Sequence, residues 1–394
     1  MNHFRTFASS SKIKSLLVIL MIIQMVFITG CWSNTDYNGR SFVKALGIDY
    51  VDGKFHSYAQ FLSFTNIAKS ESGGSTASKP VTWVGKGVDT SFFKATTNLY
   101  KTTQTYVLWG HVTAFVLSER ALKAHGGKLM EMINRHPESR YNTWIYVTKD
   151  PIDDVLSTNS FFEMSALFSI LHNPEPNYRQ YSYLPPITTV EYLSHYTEPA
   201  ATSYLPSITV NRDTWQQSQK KLPLLKLNGA YFQANEHYKG FLTETQMQGY
   251  HWMLDSTQRA PLSVKDDNEL IAQLSLSKPK VKIKTIINDD DITFHISIKL
   301  KGELYEYLEP VSYEKLVTLA AEQVKKEVLY TYSAAFKKGI DIYDLGLELR
   351  HRQPDLWRKL SNNNTKLIID QTSIEKIDVK VNIPYFGKYK RRTT

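Results

Sequence analysis

The chain has 394 residues, of which 42% are hydrophobic and 12% aromatic, and its 47 basic and 38 acidic side chains give a formal net charge of +9. This composition is typical of a folded protein. The charge is too modest for the length to indicate a nucleic-acid partner, although it suits an anionic membrane or wall surface. A single cysteine excludes an internal disulfide, so burial has to hold the fold together.

The first thirty residues have the pattern of a secretory signal. Arg5, Lys12 and Lys14 precede the segment 16–28, which is apolar apart from Gln24. As a helix this segment would reach about 20 Å at ~1.5 Å per residue, whereas the hydrocarbon core of a bilayer is ~30 Å thick. The pattern therefore predicts a signal peptide over residues 1–30 rather than a membrane-spanning helix.

The residues at the end of this segment, Ile28-Thr29-Gly30-Cys31, match a bacterial lipobox, in which an aliphatic residue and two small residues precede the cysteine. Signal cleavage between Gly30 and Cys31 would leave Cys31 as the first mature residue, with S-diacylglycerol and an N-acyl chain. Two or three acyl chains anchor a protein stably, at ~0.8 kcal/mol per buried methylene. The alternative is a signal anchor with an incidental cysteine.

The segment after the anchor alternates between strand and helix patterns. Apolar stretches on both sides of Asp52-Gly53 predict a β-hairpin. Strands that alternate with helices predict an α/β sheet covered by helices, which we assign to a first domain at 31–205. The later patterns in this domain are a polar loop at 70–80, a helix at 90–103, a strand at 106–118, helical segments at 118–137 broken at Gly126-Gly127, a strand at 143–150 and a helix from Pro151.

Residues 173–206 are rich in proline and tyrosine, which predicts a surface loop or linker. A small middle domain is predicted at 206–265. In it, apolar stretches at 230–232 and 240–242 flank a polar turn, and a short helix ends near Leu254.

Residues 266–394 predict a compact α+β domain. Alternating strands at 281–288 and 291–300 flank an acidic turn, and a long helix follows from about Ser312 to Lys338. A short helix begun by Pro354 and a strand at 377–383 complete the order strand–strand–helix–helix–strand. The whole chain is thus predicted to be a multi-domain α+β or mixed α/β protein of about three domains, with mixed sheets covered by helices.

The sequence offers little catalytic chemistry. The 11 histidines are scattered, with no two within four residues, which excludes helical metal pairs such as HExxH. The run 85–90 lacks the third glycine of a dinucleotide loop and the ending of a Walker motif, so we predict no nucleotide site. The acidic run 289–291 is better explained as a hairpin tip than as a calcium loop. No cofactor or metal is predicted.

One enzymatic alternative remains open. No GxSxG elbow is present, and the lone cysteine is assigned to the anchor. Glu244 and Asp255 are candidates for a carboxylate pair that cleaves glycans, although the sequence gives no distance between them.

Three blocks of sequence, at 31–49, 227–254 and 341–360, share residues with one known family. With these residues the chain resembles the C subunits of spore germinant receptors, the Ger(x)C lipoprotein family. It departs from the family pattern at two places. Asp36-Tyr37 stands where glutamate followed by an aliphatic residue is usual, and Ser33 stands where aspartate is often found. The shared residues are Cys31, Trp32, Asn38, Val43, Ala45, Gly47, Ile48, Asp49, Gly229, Phe232, Gly240, Leu242, Glu244, Gly249, Trp252, Asp341, Ile342, Gly346, Arg350, Pro354 and Trp357.

The resemblance implies a three-domain mixed α/β ectodomain, lipid-anchored on the outer face of the inner spore membrane. It also implies two membrane-embedded partners, the A- and B-type receptor subunits, in nutrient-triggered germination. We expect Gly229, Gly240 and Gly249 to permit turns or close backbone approach, and Trp252 and Trp357 to fill cores.

Three hypotheses follow. The first is a non-enzymatic lipoprotein subunit that contributes to assembly, stability or signal coupling of the receptor. The second is a free-standing, lipid-anchored protein that binds the nutrient itself. The third is a wall-active enzyme that uses Glu244 and Asp255.

Overall fold

The computed structural model describes residues 15–16, 18–21, 40–62, 81–135, 142–288 and 291–385. Residues 1–40 and 41–394 form two compact units, and the helical residues within 15–21 belong to the first. Within the described ranges, no helix combines the length and apolar character needed to cross a membrane. The lipobox and Cys31 lie outside the described residues, so cleavage and lipidation stay predictions.

A nine-stranded mixed sheet is the framework of the first part of the second unit. Its strands are β1 (Arg40–Val51), β2 (Lys54–Leu62), β3 (Thr82–Asp89), β4 (Tyr106–Leu108), β5 (Ala114–Ser118), β6 (Trp144–Thr148), β7 (Thr202–Asn211), β10 (Leu224–Ala234) and β11 (His237–Thr243). A separate two-stranded ribbon, β8 (Gln216–Gln217) and β9 (Lys220–Lys221), lies between β7 and β10 in the chain.

The sheet is parallel in its centre and antiparallel at both ends. The strand order is β11-β10-β7-β6-β5-β1-β2-β3, and β4 also pairs with β1. Strands β1, β5, β6 and β7 run parallel to one another. The predicted hairpin is confirmed, because β1 and β2 pair around Asp52 (φ 51°) and Gly53 (φ 76°), the positive φ pair of a tight two-residue turn.

Helices cover both faces of this sheet, as the alternation of patterns predicted. They are α1 (Phe92–Asn98), α2 (Glu119–Asn134), α3 (Ile152–Ser157), α4 (Glu175–Gln180) and α5 (Thr189–Thr197). Helices α1, α2 and α5 pack their apolar side chains on one face, and α3 packs on the other. The predicted break in α2 is found at His125, one residue before Gly126.

The prediction of a surface loop at 173–206 is wrong. This segment contains α4, α5 and the beginning of β7, and Tyr183, Leu184 and Tyr192 are buried. At the start of α4, Pro174 precedes the helix and Pro176 lies in its first turn, which the fixed φ of proline suits. Proline in this segment therefore does not indicate an absence of structure.

The second sheet has four strands in the order β12-β13-β14-β15. They are β12 (Ala260–Asp266), β13 (Glu269–Asn288), β14 (Asp291–Tyr307) and β15 (Ile374–Tyr385). Helix α6 (Tyr313–Phe336) packs against it, and Ser312 begins the helix by accepting a hydrogen bond from the amide of Lys315. The apolar residues that recur at helical spacing along this helix are buried, and they are Leu316, Ala320, Val324, Val328, Tyr332 and Ala335.

Two short helices, α7 (Leu345–Arg352) and α8 (Pro354–Leu360), follow α6. The mixed α/β class with helix-covered sheets is therefore confirmed. The predicted boundary between residues 205 and 206 lies inside β7, and β10 and β11 of the predicted middle domain join the large sheet. The division into three domains stays a prediction.

Candidate functional site

Asp49, in the first family-like block, pairs with Arg120 at the start of α2. Asp49 is 3% exposed, and its two carboxylate oxygens accept hydrogen bonds from Nε and Nη2 of Arg120 at 2.7 and 2.6 Å. Burial alone would raise the pKa of Asp49, but hydrogen bonds from Arg120, Ser118 and the Tyr50 amide hold it below its usual value. The pair fixes α2 on β1 and is a structural contact.

The second block packs against the backbone of α6. A Cβ atom on Gly249 would lie 2.2 Å from the carbonyl oxygen of Glu327, and the Gly249 amide donates to Oγ1 of Thr331 at 2.9 Å. Trp252 is fully buried, and its indole N–H donates to Oε2 of Glu327 at 2.7 Å. The expected close approach and core-filling roles are confirmed here.

The third block orders the helices after α6. Asp341 is buried and accepts hydrogen bonds from the amides of Leu345 and Gly346, at 3.0 and 2.6 Å, which fixes the first turn of α7. Arg350 forms an ion pair with Glu198 and lies over the ring of Trp357, 5.6 Å from its centroid. These contacts are internal, and Trp357 is buried as expected.

Glu244 lines a cavity of about 520 Å³ between the segment 159–186, β10 and the loop before β8. Its Oε2 lies 2.8 Å from Nζ of Lys226, and its Oε1 accepts a hydrogen bond from the Tyr181 hydroxyl at 3.2 Å. Burial, with the charge of Glu244, raises the pKa of Tyr181 to about 12. We call this space the first cavity.

Aromatic rings and amide groups form much of the wall of the first cavity. Phe168, Tyr181 and Trp215 are each close to half exposed, and the ring of Phe161 meets Trp215 edge-on at 4.8 Å. Asparagine side chains at 159, 173, 177 and 211 also line it. Rings beside an ion pair and amides are suited to a small polar molecule that has an apolar face.

Asp255 lies elsewhere, on the wall of a second cavity of about 640 Å³. Because Glu244 and Asp255 line different cavities, the structure gives no support to the proposed carboxylate pair. Asp344, on the wall of this second cavity, accepts a hydrogen bond from the Thr202 amide at 2.7 Å. Burial of its carboxyl group, with the neighbouring Asp341, raises the pKa of Asp344 to about 8.

Neither a metal site nor a phosphate loop is found in the described part of the chain. No group of three or more histidine, cysteine, aspartate or glutamate residues there is arranged to hold a metal ion. Gly85 and Gly87 lie in β3, where Leu99, directly after α1, packs on Gly85 and Ala95 of α1 packs on Gly87. Buried His172 bonds to Thr113 and Gln60, and burial lowers its pKa to about 3, so it is a neutral core residue.

Sequence reasoning missed Tyr181, Trp215, Lys226 and Asp344. Tyr181 and Glu244 are 63 residues apart, and no spacing in the sequence indicates that they meet. Only their aromatic or ionisable character was visible, and many other residues share it.

Two family models match the chain. One, described as a spore germination protein N-terminal domain, matches residues 33–210, and the other, described as spore germination B3/GerAC like, C-terminal, matches residues 228–387. The chain belongs to the Ger(x)C family of spore germination proteins. It is therefore a relative of the C subunits of germinant receptors.

Relatives from Bacillus subtilis strain 168 align with this Ger(x)C chain over nearly their whole length. Spore germination protein KC is 19% identical over 384 residues, covering 92% of this chain and 93% of KC. Spore germination protein YndF is 23% identical over 422 residues, covering 96% and 99%. Spore germination protein B3 is 22% identical over 386 residues, covering 93% and 97%.

A solved structure has the same fold. The crystal structure of the GerBC protein superposes with a TM-score of 0.51 at 16% sequence identity, over 86% of this chain and 96% of that one.

Proposed function

We propose that this protein is the lipid-anchored, non-enzymatic C subunit of a nutrient germinant receptor, acting in assembly, stability or signal coupling during spore germination. The observation that carries the proposal is the alignment with spore germination proteins over more than nine-tenths of the chain. Among the residues shared with the family, Asp49, Gly249 and Asp341 support a scaffold role, since they make internal contacts, whereas the shared Glu244 lines the first cavity.

The proposed partners are the membrane-embedded A- and B-type subunits and the lipid bilayer. Acyl chains on Cys31 would hold the ectodomain on the outer face of the inner spore membrane. Docking on the partner subunits would then be effectively intramolecular, because the anchor keeps the local concentration high.

The test is purification from inner spore membranes after mild crosslinking, using a C-terminal tag. Native protein is compared with Cys31→Ala and with Thr35→Ala, a matched control outside the lipobox. We expect the partner subunits to be recovered with the native and control proteins and to be depleted with Cys31→Ala. Mass spectrometry of the native protein should show the added mass of the acyl chains on Cys31. Native protein that is acylated but recovered alone would contradict the receptor-subunit role.

The first cavity favours a second candidate function, direct binding of a small nutrient molecule. Its volume of about 520 Å³ is within the usual range of ligand pockets, and the Lys226–Glu244 ion pair could match a zwitterion beside Trp215. Calorimetry of residues 32–394 with amino acids and sugars should then show saturable heat that Trp215→Ala weakens. Absence of heat with all of them would leave the scaffold role alone.

A further inference from the structure

Among the residues that the structure describes, five large apolar side chains are exposed around one end of the large sheet, the end at which β1 begins. Their exposed fractions are 46% for Val81, 66% for Trp83, 45% for Tyr100, 69% for Tyr106 and 88% for Phe162. We call these five residues the aromatic rim. Single exposed apolar residues are ordinary on protein surfaces, but a group of them at one end of a sheet indicates a surface that contacts another molecule or a membrane.

Strand register places the first members of the rim. Val43, near the start of β1, pairs with Phe61, and Phe61 pairs with Trp83 on the next strand. Trp83 is therefore level with the first residues of β1, and Val81 precedes it at the sheet end.

The chain then returns to the same end through α1. Ala95 of α1 lies beside Gly87, and Leu99 lies beside Gly85, so the helix runs antiparallel to β3 and delivers Tyr100 near Trp83. A hydrogen bond of 2.6 Å between the hydroxyls of Ser41 and Thr105 then holds Tyr106 beside the start of β1.

A loop from the other face of the sheet completes the rim. Thr82 Oγ1 donates to Oδ1 of Asn159 at 3.3 Å, which ties Asn159 to the beginning of β3, and Phe162 follows three residues later. Phe162 has a φ of 56°, a left-handed conformation that is uncommon for a bulky residue. Such a conformation costs about 1–3 kcal/mol, and here it accompanies a ring that is almost fully in solvent.

The length of the chain before β1 identifies the occupant. Only eight residues lie between Cys31 and Arg40, where β1 begins, so nine residue-to-residue steps join the two. At ~3.3–3.6 Å per residue this segment spans at most about 32 Å. An acyl anchor at Cys31 therefore restricts the end of the sheet that carries the rim to the neighbourhood of the bilayer surface.

The chemistry of the rim matches that location. Tryptophan and tyrosine favour the membrane–water interface, because their rings are apolar and their N–H or O–H groups can stay hydrated. Lys101, which follows Tyr100, is exposed and suits anionic headgroups. We propose that the aromatic rim rests on the lipid bilayer, with Trp83, Tyr106 and Phe162 at headgroup depth, as a second membrane contact that orients the ectodomain. This proposal rests on the proposed anchoring at Cys31.

The test uses the full chain, processed by a lipoprotein-exporting host and reconstituted into vesicles of phosphatidylglycerol and phosphatidylethanolamine. Trp83→Cys, Tyr106→Cys and Phe162→Cys each receive an environment-sensitive fluorophore. The matched controls are Phe93→Cys, at the opposite end of α1 and 70% exposed, and Tyr305→Cys in β14, 59% exposed. All five substitutions replace exposed side chains, so folding is preserved.

We expect lipids that carry a nitroxide at the headgroup to quench the three rim labels several-fold more than the two control labels. Rim labels quenched no more than the label at position 93, on protein that still floats with the vesicles, would overturn the proposal. Rim labels that lipid never quenches, but that co-reconstituted partner subunits shield from iodide, would assign the rim to a protein partner and overturn it too.

The unsubstituted protein separates failure of the rim from failure of the anchor. If Cys31 is acylated, this protein takes up no fluorophore and floats with the vesicles. Labelling of Cys31 without flotation would refute the anchor and the rim contact together, whereas unquenched rim labels on floating protein refute the rim contact alone.

Discussion

Replacing Gly249 by alanine should destabilise the protein by about 3 kcal/mol. The new Cβ would lie 2.2 Å from the carbonyl oxygen and 2.4 Å from the carbonyl carbon of Glu327, and 2.5 Å from the amide nitrogen of Val328. All three are backbone atoms of α6, so no side-chain rotation relieves the clash, and the helix must shift by about 1 Å or more to restore van der Waals distance. Such overpacking costs about 1–3 kcal/mol.

The same shift stretches the hydrogen bond from the Gly249 amide to Thr331 Oγ1, now 2.9 Å, which contributes about 1 kcal/mol. Urea and thermal unfolding of residues 32–394, followed by far-ultraviolet circular dichroism, measure the combined loss. For a cooperative unit of 150–250 residues, a loss of about 3 kcal/mol lowers Tm by roughly 6–12 °C.

Gly110→Ala is the matched control, because a Cβ at Gly110 meets nothing within 4 Å. It should change the free energy of unfolding by no more than about 0.5 kcal/mol. If Gly249→Ala proves as mild as Gly110→Ala, then the backbone contact between the second family block and α6 is not made, and its structural role is refuted.

Three further predictions concern single charged groups. Under the scaffold role, Glu244→Gln should leave germination intact and cost less than about 1 kcal/mol, because its partner Lys226 is half exposed. A germination defect at normal protein levels would contradict this and would support ligand binding in the first cavity. Asp344→Asn should become increasingly stabilising as pH rises from about 4 to about 8, because over this range the carboxyl group of Asp344 is ionised in the unfolded chain but stays protonated in the folded protein, which lowers the free energy of unfolding of the native protein. Tm differences from the native protein that do not change with pH would contradict this. Arg120→Gln should cost about 2 kcal/mol at pH 7, less than for a fully buried pair because Arg120 is 63% exposed. Since the pKa of Asp49 is lowered, this loss of unfolding free energy should shrink below about pH 4, where Asp49 becomes protonated and no longer needs the arginine. A loss that persists in acid would show that lost packing is its cause.

The local elements could be predicted well because their signals are local. The β1–β2 hairpin follows from Asp52-Gly53 between two apolar stretches, and α6 follows from apolar residues repeated at helical spacing. The same locality explains the error at 173–206, where prolines that begin and separate short helices were interpreted as a linker. The buried positions of Tyr183 and Tyr192 depend on distant parts of the chain.

The sequence by itself determined the signal and lipobox pattern, the family, the mixed α/β class and the residues that make the C-terminal helix and its hairpin. The tertiary structure decided that β10 and β11 join the large sheet, that Glu244 meets Lys226 and Tyr181 while Asp255 lines another cavity, and that the five residues of the aromatic rim gather where β1 begins. The features that the sequence determined depend on periodicity and spacing among residues that are close together in the sequence. The features that the tertiary structure decided depend on pairings between residues tens of positions apart, which are selected by the packing of the whole core and leave no spacing rule in the sequence.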